Sequence, residues 1–154
     1  MHLLKSAFLF SLPVILCAGC KPQAALTPQA AFYDLKNAFQ KSDAASLEHQ
    51  LSDRSVKKIR RATLLFSHMD DRQLESLAKK FGESPERLKS LSVRDYCALT
   101  LSWDRNRNVM GAATRQNIVG INREGNRATI RVENGMELVF VKEGPYWKFD
   151  MTGL

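Results

Sequence analysis

The sequence predicts an α+β domain in which N-terminal helices pack on a C-terminal four-stranded antiparallel meander. Three observations predict it. Apolar residues recur three and four positions apart between residues 28 and 101, which is the period of a helix. Beyond residue 116 apolar and polar residues alternate, which is the period of a strand with one buried face. Three turn-forming stretches divide this second part into four strands.

Six helices are expected, and each begins at a residue whose side chain can cap a helix. The expected starts are Thr27, Asp43, Ser52 or Asp53, Asp70 or Asp71, Ser84 and Ser92. Proline follows Thr27 and Ser84, where it suits the first helical position. The polar run 104–108 is expected to separate the last helix from the first strand, and Trp103 is expected to join the core.

Four strands are expected at residues 116–122, 127–133, 136–142 and 146–151, with a hairpin at Asn134-Gly135. Alternation assigns one set of apolar side chains to the core face: Ala128, Ile130, Val132, Trp147, Phe149 and Met151. The polar set is then expected on the opposite face: Thr129, Arg131, Glu133, Lys148 and Asp150. Arg115, Asn117 and Glu137 are the other polar groups of this half that could serve a site.

The first 19 residues have the order of a secretory signal, with Lys5 before an apolar run and small residues after it. A helix that spans a bilayer needs about 20 apolar residues, and this run is shorter because it ends at Gly19. We therefore expect residues 1–19 to be a cleaved signal peptide rather than a transmembrane helix.

Residues 16–20, Leu-Cys-Ala-Gly-Cys, resemble the lipobox of bacterial lipoproteins. The resemblance implies that Cys20 carries a diacylglyceryl group and becomes an acylated N-terminus, with residues 20–27 as lipidated cysteine and tether. Cys17 departs from the Leu, Val or Ile usual at its position. Lys21 stands where enterobacterial lipoproteins retained in the inner membrane have Asp, which implies the periplasmic side of the outer membrane if the source is Gram-negative.

The net charge of the domain narrows the class of partner that it can bind. Without residues 1–19 the chain has 22 Lys and Arg against 16 Asp and Glu, a formal charge of +6. An exported lipoprotein rarely meets nucleic acid, so anionic lipid, cell-wall polymers and acidic proteins are the expected partners. The densest basic cluster is either a contact for such a surface or a solvated helix face: Lys57, Lys58, Arg60 and Arg61.

Cys97 would be the one cysteine left in the domain, and its apolar neighbours indicate a buried, inert thiol.

Two further segments are similar to small bacterial lipoproteins of the NTF2-like fold. They are the opening Thr-Pro with Ala-Ala-Phe-Tyr-Asp-Leu at residues 30–35, and the ending Gly-Asn-Arg-Ala-Thr-Ile at 125–130 with Glu-Gly-Pro-Tyr-Trp-Lys-Phe-Asp at 143–150. The resemblance implies that residues 28–151 form a curved sheet wrapped around helices as a cone. Enzymes of that superfamily place acid–base groups inside the cone, whereas the strand half of this chain has no histidine and an apolar interior face.

We therefore expect a membrane-anchored envelope lipoprotein whose non-enzymatic domain binds an envelope protein or a small apolar ligand. The alternatives are a small hydratase or isomerase with its site in the cone, and a structural role near the cell wall. No metal or cofactor is expected. His49 lies in a polar stretch, where a solvated side chain is expected. Asp70 and Asp71 follow His68, and helix capping by one of them explains the pair without a metal.

Overall fold

The computed structural model describes residues 25–102 and 109–153, and within these ranges seven α-helices precede a four-stranded antiparallel sheet. The helices are α1 (Pro28–Lys41), α2 (Ala44–Gln50), α3 (Asp53–Ser67), α4 (Asp71–Phe81), α5 (Pro85–Lys89), α6 (Val93–Ser102) and α7 (Val109–Thr114). The strands are β1 (Ile118–Glu124), β2 (Arg127–Val132), β3 (Glu137–Glu143) and β4 (Tyr146–Phe149). The predicted α+β class and meander are confirmed. The proposed signal peptide, Cys20 and Trp103 lie outside the described residues.

The first five helices begin at the predicted capping residues. The side-chain oxygen of each cap accepts a hydrogen bond, 2.9 to 3.2 Å long, from the backbone N–H three residues later. This bond satisfies one of the backbone donors that the first helical turn leaves without a partner. Where the sequence allowed two starts, the structure selects the earlier residue: the caps are Thr27, Asp43, Ser52, Asp70 and Ser84.

The four strands pair in chain order, β1-β2-β3-β4, and their register sets which face is buried. Ala128 lies opposite Phe140, and Phe140 lies opposite Phe149. On β2, β3 and β4 the apolar face is buried, as the alternation predicts: Ala128, Ile130, Val132, Leu138, Phe140, Trp147 and Phe149. Met151 was also predicted on this face, but it lies beyond the end of β4 and is only partly buried. Asn134-Gly135 makes the predicted turn between β2 and β3, with Gly135 at a φ of 82° that L side chains rarely adopt.

Apolar side chains form two clusters. The main core lies between the sheet and helices α1, α2, α3, α6 and α7, and it is centred on Phe32, Leu35, Phe140, Trp147 and Phe149. A second cluster holds α4 and α5 together: Leu74, Ala78, Leu88 and Leu91. The long helical middle of the chain therefore has a core of its own, separate from the sheet.

Two strands differ by two residues in their bounds from the sequence prediction: β1 covers residues 118–124 rather than 116–122, and β4 ends at residue 149 rather than 151. Two further details also differ. The first is α7, which was not expected because Val109–Thr114 is short and has no capping signal; burial of Ala113 and Thr114 accompanies its formation. The second is Asp150, which alternation assigned to the outer face. β4 ends at Phe149 and the chain turns, so Asp150 is buried and its carboxylate accepts the N–H of Thr152 at 3.0 Å.

Candidate functional site

The basic residues that the sequence singled out lie together on the solvent side of α3. The side of α3 that holds Ser55 and Ile59 is buried. The charged side chains are exposed, and the structure adds Arg54 to them. We call the following five residues the α3 basic face: Arg54, Lys57, Lys58, Arg60 and Arg61. Their spacing of three and four residues places them on one continuous arc of the helix.

The α3 basic face carries five cations, and the one carboxylate on the same side of α3 is Asp53 in its first turn. Among residues 25–102 and 109–153, no ion pair joins this face to a carboxylate. The only side-chain hydrogen bonds of this face in those ranges come from Lys58 Nζ, which donates to the carbonyls of Met151 and Thr152 at 3.4 Å. Such an excess of cations on one helix side produces a positive potential that attracts anionic partners.

Two leucines extend the same helix side toward its C-terminal end. Leu64 is 59 % exposed and Leu65 is 63 % exposed, and they lie three and four residues beyond Arg61. The sequence prediction did not include them, although Leu64 and Leu65 follow the basic run after only two residues. A helix that presents cations and apolar side chains to solvent together is typical of helices that lie at a membrane surface.

The N-terminus of α3 lies beside the place where the predicted tether joins the domain. Trp147 N–H donates to the Ala25 carbonyl at 2.8 Å, which attaches the start of the described chain to β4. Ser52, the cap of α3, donates its N–H to the Phe149 carbonyl at 2.9 Å. Trp147 and Phe149 are two residues apart on β4, so these two attachment points lie about 7 Å from each other. Ala25 is five residues from Cys20, a reach of at most about 18 Å.

The interior between sheet and helices is packed in the part of the chain that the structure describes. Two apolar cavities at the helix side of the core measure about 10 and 20 Å³, so each has room for at most about one water molecule. Arg123 closes one edge of the core, with its guanidinium carbon 5.1 Å from the centre of the buried Trp147 ring.

Polar groups that could serve catalysis lie outside this core. Asn117 is exposed and donates its side-chain N–H to Glu133 at 3.0 Å. Glu137 is exposed on the outer sheet face, opposite Arg131. Cys97 is buried as predicted, and burial raises the pKa of its thiol to about 12. Such a thiol is protonated at neutral pH and is a poor nucleophile.

The metal candidates of the sequence are dispersed in the structure. His68 is exposed at the end of α3, and Asp70 caps α4. Within the described ranges no group of three or more His, Cys, Asp or Glu side chains is placed to hold a metal ion.

A polar cleft between α1 and α2 was not predicted. Its lining consists of Asp34, Asn37, Ala38, Lys41, Asp43, Ser46 and Gln50, and its volume is about 140 Å³. Asp34, Asn37 and Lys41 recur at helical spacing beside the apolar stripe of α1, which is the signal that sequence reasoning missed. The burial of Gln50 has no such signal, because it depends on how α2 packs.

Comparison with protein-family models, with curated proteins and with solved structures finds no match to this chain. None of the helices in residues 25–102 and 109–153 is long and apolar enough to span a bilayer.

Proposed function

We propose that the protein is a lipid-anchored envelope lipoprotein, attached through Cys20, whose NTF2-like domain works by binding rather than by catalysis. If the source is Gram-negative, the anchor lies in the periplasmic side of the outer membrane. The observation that carries this proposal is the α3 basic face, which has no carboxylate partner in the described chain and begins beside the tether.

An anionic lipid surface is the partner that this arrangement favours. Each Lys or Arg near such a surface contributes about 1 kcal/mol of attraction, which decays within a Debye length of about 8 Å at physiological salt. A tether of at most about 18 Å keeps the domain close to the bilayer. Leu64 and Leu65 add apolar area that can enter the head-group region.

A surface partner is favoured over a small apolar ligand inside the domain. The apolar cavities of about 10 and 20 Å³ at the core are smaller than a ligand pocket, which typically measures several hundred Å³. The interior face of the sheet is lined by apolar side chains in the described chain, so the cone interior gives no support to the hydratase or isomerase alternative.

Metabolic labelling with palmitate in a bacterial host tests the anchor. Wild-type protein is expected to incorporate label, and Cys20→Ala is expected to lose it and to accumulate as the unprocessed precursor. Cys17→Leu is the matched control, because it also removes a cysteine but introduces a residue usual at that lipobox position, so labelling is expected to persist. Label that persists in Cys20→Ala would contradict the proposal.

A further inference from the structure

The α1–α2 cleft contains a buried acceptor without a partner. Gln50 is 3 % exposed, and its side-chain oxygen Oε1 makes no hydrogen bond. Gln50 is also part of the cleft lining. Buried amide oxygens in proteins are nearly always paired with a protein donor or with a bound molecule. The cleft is therefore short of a hydrogen-bond donor.

The same cleft holds a carboxylate that forms no ion pair among the described residues. Within the described residues, Asp34 makes no hydrogen bond and no ion pair, and it is half-buried on α1. The second carboxylate of the lining, Asp43, is already engaged, since it accepts the N–H and the hydroxyl of Ser46 at 3.0 and 2.7 Å. Asp34 and Gln50 are thus two acceptors of the lining whose side chains make no hydrogen bond among the described residues.

Two basic side chains lie near Asp34: Lys41 is part of the cleft lining, and His49 interacts electrostatically with the Asp34 carboxylate. Burial and the neighbouring Lys148 charge lower the pKa of His49, which leaves its imidazole neutral at pH 7. The Lys148 ammonium donates to the backbone carbonyl of His49. The charge of Lys41 acts on Asp43 and helps to lower the pKa of that carboxyl.

We propose that the α1–α2 cleft binds a small primary ammonium compound, whose N–H groups donate to Gln50 Oε1 and to the Asp34 carboxylate. An ammonium group has three donors and a positive charge, so it can satisfy both acceptors at once. A volume of about 140 Å³ corresponds to four or five water-sized groups, which suits a ligand of about that many heavy atoms. This site is independent of the lipid anchor and of the α3 basic face.

A titration of the ¹⁵N-labelled protein with n-propylammonium chloride tests the proposal. Saturable shifts are expected for backbone amides of residues 34–50. n-Propanol and sodium propionate have the same chain without the positive charge, and both are expected to leave those amides unchanged. Asp34→Asn is expected to weaken n-propylammonium binding at least tenfold, and Gln50→Leu is expected to abolish it.

Two further variants make the result interpretable. Glu75→Gln removes an exposed carboxylate on α4, outside the cleft, and is expected to bind n-propylammonium like wild type. Gln50→Glu keeps the shape of the side chain and adds a charged acceptor, so it is expected to bind n-propylammonium more tightly than wild type. This variant tests the role of residue 50 if Gln50→Leu fails to fold. The proposal is overturned if n-propylammonium produces no saturable shifts, if n-propanol produces the same shifts, or if Asp34→Asn binds like wild type.

Discussion

Removing charge from α3 is the perturbation that bears most directly on how the domain meets a membrane. The variant changes four exposed cations to glutamine: Lys57, Lys58, Arg60 and Arg61. At about 1 kcal/mol for each cation near an anionic surface, the loss is about 4 kcal/mol at full engagement. Since 1.4 kcal/mol is a factor of ten, vesicle affinity is expected to fall by two to three orders of magnitude.

Co-sedimentation with vesicles measures this loss. The protein begins at residue 20 with Cys20→Ser, so that no acyl chain contributes, and the vesicles contain one-third anionic lipid in roughly 0.1 M salt, where the Debye length is about 10 Å. A matched variant removes four exposed cations outside α3 by changing them to glutamine: Arg72, Lys79, Lys80 and Arg127. It is expected to retain most of the affinity.

Two results would refute the reasoning. Equal losses in the two variants would mean that net charge alone attracts the domain, and unchanged binding in the α3 variant would mean that another surface faces the lipid. Leu64→Ser with Leu65→Ser separates the apolar contribution. This pair is expected to weaken binding while leaving its salt dependence unchanged, because ionic strength screens charges and not apolar contacts.

Three smaller predictions concern the fold. Ser42 follows α1 with a φ of 52°, and Gly82 follows α4 with a φ of 70°, so both lie in the left-handed region that favours glycine. Ser42→Gly is therefore expected to stabilise the protein and Gly82→Ala to destabilise it, each by about 1 kcal/mol in chemical denaturation. Hydrogen bonds from Ser46 lower the pKa of Asp43, and a lowered folded-state pKa stabilises the protein above the ordinary Asp range. Wild type is therefore expected to exceed Asp43→Asn in free energy of unfolding by about 0.5 kcal/mol at neutral pH. This difference is expected to vanish as the pH falls through that range and below it, and a difference that persists at pH 2 would contradict this assignment. Cys97 is expected to resist alkylation at pH 8 in the folded protein and to react after denaturation, and rapid alkylation under native conditions would contradict its burial.

Local signals account for most of the fold that the sequence predicts correctly. Thr27 and Asp43 cap helices through side-chain bonds that span only three residues, so their effect is readable without knowledge of the tertiary structure. Asn134-Gly135 likewise determines a turn within a few residues, and the alternation on either side of it determines which face is buried.

The features that sequence reasoning missed depend on tertiary packing. A six-residue helix such as α7 is not stable by itself, and packing against the core is what supports it. Gln50 is polar, and only the approach of α1 and α2 buries it beside Asp34. The basic residues of α3 were identified from the sequence, but the exposure of Leu64 and Leu65 depends on which side of α3 faces the core.

The mass of the mature polypeptide, purified from the membranes of a bacterial host, tests the lipid anchor most directly. The proposal predicts a chain that begins at Cys20 and carries a diacylglyceryl group together with an N-terminal acyl chain. An unmodified chain that still begins at Met1 would contradict it.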